Sequence, residues 1–560
     1  MKGDRRALVL SIAIALYYAV LGLAILVPDG VYSGDIGVQY VQAQAILDNR
    51  FRGLGISYPG EFLDPDRRFF PIRPPFVMNA GRTTQSIFPP ASALLQALGV
   101  SAFGLRGMIL ISVIAAWATL YCAARLTLPR ARLTVLVALG LASPLWFYAV
   151  SGWHHAAGMA LGTAGFMFAL TGTDTRAPLI AGLALGAGAA LRDEVILLSP
   201  GVAAALWIRR RSIRAIVLMG AGALAALSLT AAIDIWWFDR PAAAHLRHAV
   251  HFLQSALRTT DAPNAEVPVL HPMTLDERYQ TVIQYWLFGH GNNLLIATYV
   301  GGLLVALLVR WKLRSSAGIL AWLGAVIALA AVDFHELMTA PKWLAGLFRV
   351  APYLVFAVLP PPARHEETAS EAHSRVQFVA VLTIAAYLIL AFAGVDTTGG
   401  KGLGPRLLLP LLPILTVPAV SHIGAYLHAR GSVDRWAGRA GALLLLMTLV
   451  IHSYATTTAY YQRNRDDSSV VLAVAASHER IVVADDMFTA QLLFPLYYRK
   501  IIFLADSPAA AADLAAVLRS QRLPGALVVS RNLKAPLALP GMRKFHSEQI
   551  GRMSIVHWTR

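Results

Sequence analysis

Cysteine is all but missing. The single one, Cys122, sits in an apolar run, which excludes a disulfide framework and a thiolate metal site and reads as a small buried hydrophobe. Charge is scarce too: Asp, Glu, Lys and Arg make up 14% of the 560 residues, against about 25% in soluble domains. Acidic residues are the scarcer kind, 31 against 48 Lys and Arg, for a net charge of +17. No G-x-G-x-x-G fingerprint follows a strand-like run, so nucleotide binding has no support. No A-x-A cleavage site follows the first apolar run, which reads as a retained anchor with a cytoplasmic N-terminus. No internal repeat is visible.

Long apolar runs are abundant. Hydrophobic residues make up 57% of the chain, and stretches such as Ala7–Val27 have the length needed to cross a ~30 Å hydrocarbon core. Basic residues gather in short connectors: Lys2, Arg5 and Arg6; Arg130 and Arg132; Arg209, Arg210, Arg211 and Arg214; Arg310, Lys312 and Arg314; Arg430, Arg435 and Arg439. That is the pattern of cytoplasmic loops, and it accounts for the positive charge without a nucleic-acid partner. The fold class expected is therefore a polytopic α-helical membrane protein of about thirteen transmembrane helices. Among the spans read are Leu133–Val150, Ala156–Thr171 and Leu344–Leu359, and the stretch Leu179–Trp207 is read as two short helices broken at Arg192–Glu194, because charge at mid-bilayer is costly.

On this reading residues 1–460 form the membrane domain, with outside loops over 29–105 and 236–292. Residues 461–560 form a small extracytoplasmic α/β domain, in which "RIVVAD", "KIIFLAD" and "GALVVS" are strands of a parallel sheet. In the first loop, "IGVQYVQAQAILDN" and "FPPASALLQALGVSAFG" are expected to lie in the membrane interface as amphipathic helices do. Residues 360–375 read as a flexible linker.

Asp35, in "VYSGDIGVQY", follows directly on the first span. A partly desolvated carboxylate there suits a general base. Equally, Ser33 and Asp35 are good N-caps for a helix beginning at Ile36. "HLRHAVHF" spaces His245, His248 and His251 along one helical face, and "ADD" (Asp485, Asp486) ends a strand; we read these as an interfacial helix and as a turn and cap. His154 and His155 are adjacent and so do not share a helix face, which favours satisfied polar roles over a metal site.

The element "SGDIGVQY", together with "FPPASALLQALG" (Phe88–Gly99), "GLFRVAPYLVFA" (Gly346–Ala357) and "GLGPRLLLPLLPIL" (Gly402–Leu415), resembles the GT-C superfamily of integral-membrane glycosyltransferases. The likeness is to the bacterial polyprenyl-phosphate-sugar-dependent enzymes of the glycosyltransferase 39 type, and it covers most of residues 1–427. It implies a GT-C fold in the bacterial cytoplasmic (inner) membrane and transfer of a sugar from a polyprenyl-phosphate donor, with inversion, to an envelope glycan, lipid or protein acceptor on the outer face. It also implies Asp35 as catalytic base. The sequence departs from the pattern at Ile36, where an acidic residue is common, and at Leu407, where tyrosine is usual. The first departure removes a candidate metal ligand, and no metal or other cofactor is expected.

A departing phosphate needs cationic partners. The candidates are Arg406, Lys401, Lys342, Arg82 and Arg192, with Arg406 and Lys401 favoured because "GGKGLGPR" lets backbone approach a phosphate. Tyr40, Glu194, His154, His155 and His335 are candidate substrate contacts, and "DFHE" (Asp333–Glu336) is a weak metal-like run. The competing functions are a lipid or glycan transporter or flippase, and a non-enzymatic envelope scaffold. The scarcity of ionisable residues inside the spans disfavours transport.

Overall fold

A computed structural model describes residues 2–26, 30–80, 83–238, 273–289, 292–313, 316–339, 346–360, 362, 367–394 and 403–560. Among them are eight helices long and apolar enough to cross a membrane: Asp4–Ile25, Leu105–Leu126, Ile213–Trp236, Asn293–Lys312, Ala317–Glu336, Val376–Gly394, Arg406–Leu427 and Ser432–Ala476.

The first half of the chain runs through α1 (Lys2–Val20), α2 (Gly34–Asp48), a hairpin of β1 (Val77–Ala80) and β2 (Thr83–Ser86), and α3 (Pro90–Phe103). It continues through α4 (Leu105–Leu126), α5 (Arg132–Leu141), α6 (Leu145–Val150), α7 (His155–Thr171), α8 (Ala177–Leu191), α9 (Ser199–Arg210) and α10 (Ile213–Ala232). Several spans read from hydropathy are shorter or broken. Leu133–Val150 divides into α5 and α6 at Ser143-Pro144, where the ring of Pro144 cannot continue a helix donated from α5. In the described part of the span read at Leu344–Leu359, a single turn at Leu347–Val350 is followed by a 3₁₀ run, Pro352–Ala357, again opened by proline. The break at Arg192–Glu194 is present as a 3₁₀ run, Asp193–Leu198, between α8 and α9. A helix over Glu367–Gly394 begins within the stretch read as a linker.

Close backbone packing holds part of the bundle. A Cβ on Gly182, Gly186 or Gly222 would strike backbone atoms across the α8–α10 contact, the small-residue packing that lets apolar helices approach without a hydrophobic driving force.

The C-terminal region forms a mixed five-stranded sheet of order β4-β3-β5-β7-β6: β3 (Ile481–Ala484), β4 (Ile501–Leu504), β5 (Gly525–Ser530), β6 (Arg543–Ile550) and β7 (Met553–Thr559). The strands β4, β3 and β5 are parallel. The antiparallel pair β6–β7 was not read from sequence, and β6 shows why: it is exposed along nearly its whole length, so it carries no apolar alternation.

One hydrophobic core joins this sheet to the loop after α1. Ile56, Tyr58, Phe69, Phe70 and Ile72 pack with Val483, Phe494, Tyr497, Phe503 and Leu514. The Phe69 carbonyl accepts from Leu504 N, on the edge strand β4, at 2.9 Å. We call this joint unit the cap.

The helix α2 lies between cap and bundle. Val38, Val41 and Ala45 enter the cap core, whereas Ile36, Tyr40, Ala43 and Ile46 enter the bundle core. The expectation of an amphipathic helix with one apolar face is corrected accordingly: α2 has two apolar faces because it is buried on two sides. Between them runs a polar stripe at helical spacing, Asp35, Gln39 and Gln42. α3, the second segment expected at the interface, packs on α2 and α4.

Candidate active site

The stripe on α2 organises the site. Asp35 lies in the first turn, after an N-cap residue, Ser33, whose side chain makes no capping bond. The carboxylate of Asp35 does not act as the cap either. Its Oδ2 accepts from Nη1 of Arg406, and the pair is mostly buried, with 14% and 17% of the two side chains exposed. Arg406 opens the 3₁₀ run Arg406–Leu411 behind Gly404 and Pro405. Its guanidinium lies over the Trp153 ring, 5.2 Å from the centroid, and its Nε is buried with no hydrogen-bond partner among the described residues.

One turn along the stripe, Gln39 Oε1 accepts from Nδ1 of His154 and from Nε2 of Gln96, each at 2.8 Å. Nε2 of His154 lies 3.1 Å from Nη1 of Arg192. An arginine can only donate, so His154 is neutral, with its proton on Nδ1. Burial first, and then the charge of Arg192, hold its proton affinity well below the ordinary histidine range. Glu194 accepts from Nε and Nη2 of Arg192, both at 2.9 Å, so this pair lies within the break between α8 and α9.

His155 stacks on His154, with ring centroids 5.2 Å apart and planes 14° apart. The neighbouring rings meet at the start of α7, where His154 is the N-cap residue and His155 the first residue of the helix. Neither ring nitrogen of His155 makes a hydrogen bond among the described residues, and the nearest acid, Glu194, is 3.6 Å from Nδ1. Gln39 Nε2 and Gln96 Oε1 are likewise buried without partners. Buried polar atoms are nearly always satisfied, so a group of them beside an aspartate and two arginines is unused capacity for a polar ligand.

The remaining residues singled out in the sequence are dispersed. Tyr40 is buried, and its hydroxyl accepts from Gln44 Nε2 at 2.9 Å. His335 is exposed on the Ala317–Thr339 helix, while its neighbours Asp333 and Glu336 both pair with Arg349, at 2.8 and 3.3 Å. Asp486 caps the Met487–Leu492 helix, accepting from Phe488 N and Thr489 N. Arg82, Lys342, Lys401 and the histidines at 245, 248 and 251 lie outside the described residues. No group of three His, Cys, Asp or Glu side chains among the described residues is placed to hold a metal ion.

Sequence reasoning missed Gln39, Gln96, Trp153 and Gln491. Gln39 was within reach of it, since a residue four places after Asp35 on one helix shares its face. Gln491, from the C-terminal region, packs so tightly on the turn before Asp35 that a Cβ on Gly34 would overlap its side chain.

No family model matches this chain, and no curated protein sequence matches it. Among solved structures it is similar to the crystal structure of ArnT from Cupriavidus metallidurans bound to undecaprenyl phosphate. The TM-score is 0.49 at 12% identity, over 98% of this chain and 97% of that one. It is also similar to the apo oligosaccharyltransferase of Archaeoglobus fulgidus, with a TM-score of 0.39 at 11% identity, over 93% and 69% of the respective chains.

Proposed function

We propose that this chain is a membrane glycosyltransferase of the GT-C type that moves a sugar from a polyprenyl-phosphate carrier to a hydroxyl of an envelope glycan, lipid or protein. The observation that carries this reading is the buried Asp35–Arg406 pair, in which an aspartate with no capping role meets a cation from the "GPR" element. The motif series in the sequence supplies the substrate class.

In this mechanism the acceptor oxygen attacks the anomeric carbon while the bond from that carbon to the phosphate oxygen breaks. The hydroxyl proton passes to Asp35, and the bonding electron pair leaves on the phosphate. Arg406 stabilises the charge that develops there. The direct displacement inverts the anomeric centre. The open hydrogen-bonding atoms of His155, Gln39 and Gln96 suit sugar hydroxyls, and Arg192, Glu194 and His154 hold that wall in place. Lys342, Lys401 and Arg82 remain proposed phosphate contacts, with His335 and Tyr40 as proposed substrate contacts.

The test compares envelope glycans by mass spectrometry in a host lacking the gene, complemented with wild type or with Asp35→Asn at matched membrane levels. Wild type is expected to restore a missing sugar mass and Asp35→Asn to reduce transfer by at least about a hundredfold, the scale of a lost general base. Equal restoration by both overturns the assignment.

A further inference from the structure

The contact that marks the site also occupies it. A general base must be placed to reach the acceptor hydroxyl, yet the Asp35 carboxylate is held on Arg406 through Oδ2 and Nη1. Both side chains are mostly buried. Each charge is therefore balanced chiefly by the other, and removing one leaves the second uncompensated. Arg406 has further capacity, because its Nε is buried without an acceptor among the described residues. Trp153 covers one face of the guanidinium and leaves its in-plane donors open, so an anion arriving at the free Nε would have to share with Asp35 the one positive charge that now balances the carboxylate.

We propose that the donor phosphate and the Asp35 carboxylate compete for Arg406, so that donor binding releases the base and the return of Asp35 after transfer helps expel polyprenyl phosphate. This rests on the transferase reading above. The charges balance at each stage. The phosphodiester brings one negative charge to Arg406 and frees Asp35 as a carboxylate. Transfer protonates Asp35 to the neutral acid and leaves the extra negative charge on the phosphate. Loss of that proton to water restores the carboxylate, which re-pairs with Arg406 as the lipid phosphate departs. An enzyme without donor keeps its base engaged, so the donor binds before the acceptor hydroxyl is activated.

The test is equilibrium binding of bare polyprenyl phosphate to purified full-length protein in detergent, for wild type, Asp35→Asn, Arg406→Gln and the double variant, with transfer assayed in parallel. Competition predicts that Asp35→Asn, although inactive, binds the lipid phosphate about tenfold tighter than wild type. Arg406→Gln should bind it more weakly, and adding Asp35→Asn to Arg406→Gln should change nothing further. Equal or weaker binding by Asp35→Asn overturns the proposal and identifies Asp35 as a fixed brace for Arg406. If Asp35→Asn is not monodisperse, Asp35→Ser removes the same charge with a smaller side chain and is read in the same way. Lost transfer with unchanged binding leaves the transferase reading standing and removes only the competition. Retained transfer removes the base assignment itself.

Discussion

The two faces of α2 rest on cores that are held together differently. On the cap side, Val38, Val41 and Ala45 meet aromatic side chains from the loop after α1 and from the C-terminal sheet, and burial there is driven by water. On the bundle side, Ile36, Tyr40, Ala43 and Ile46 meet helices whose outer surfaces are themselves apolar. In a bilayer the alternative to such packing is lipid, so close contact and hydrogen bonds do what hydrophobic transfer does in water. The polar stripe bearing Asp35 lies between the two and takes its position from both.

Truncation at matched depth breaks the comparison most sharply. Phe503 in the cap and Phe166 in the bundle are both fully buried. Phe503→Ala is expected to cost about 3–5 kcal/mol, the range for a large cavity in a water-driven core, and to abolish transfer by loosening α2. Phe166→Ala loses packing but little transfer free energy, so its effect should be smaller. Thermal melting in detergent measures both, and equal losses would mean that the two cores are built alike.

A smaller effect is expected at Gly34. Gly34→Ala drives a methyl group into Gln491, at about 1–3 kcal/mol for an overpacked contact, and should lower transfer while leaving the bundle assembled. Gln491→Ala in the same chain should restore much of the loss. A double variant no better than Gly34→Ala alone would show that the cap does not set the turn before Asp35.

The smallest effect concerns pH and acts at the polar stripe between the two faces, where His154 meets Gln39. With its folded-state affinity for protons depressed by burial and by Arg192, His154 stays neutral where an unfolded histidine, with a pKa of about 6.5, would take a proton. The unfolded chain then binds more protons, so stability is complete above about pH 6.5 and falls as the pH drops below it. The melting temperature should decline between pH 7 and 5.5, and His154→Gln should flatten that decline. An unchanged slope in the variant would place the sensitivity elsewhere.

How much of this was legible in the sequence follows from the range over which each signal acts. The Arg192–Glu194 break was readable because charge within an apolar run is a local signal. Asp486 as a cap was readable for the same reason. The pairing of Asp35 with Arg406 was not, since it joins the second helix to a loop most of the chain away, and the sequence offered only a base or a cap. The α2 segment showed apolar residues at helical spacing, but periodicity alone does not say how many partners share a helix. Its second apolar face was therefore not read, and the segment was taken as an amphipathic helix. The edge strand β6 escaped detection because its exposed side chains leave no pattern to read.

The tight fit of Gln491 against Gly34 has a consequence for biosynthesis. The turn carrying Asp35 is made well before Gln491, and more than half of the cap core comes from the later segment between Ile481 and Val556. Until then the apolar face of α2 formed by Val38, Val41 and Ala45 lacks its partners from the C-terminal sheet, and these long-range contacts wait for that sheet to be made. A chain cut before Gln491 would thus carry Asp35 without the side chain that packs against its turn.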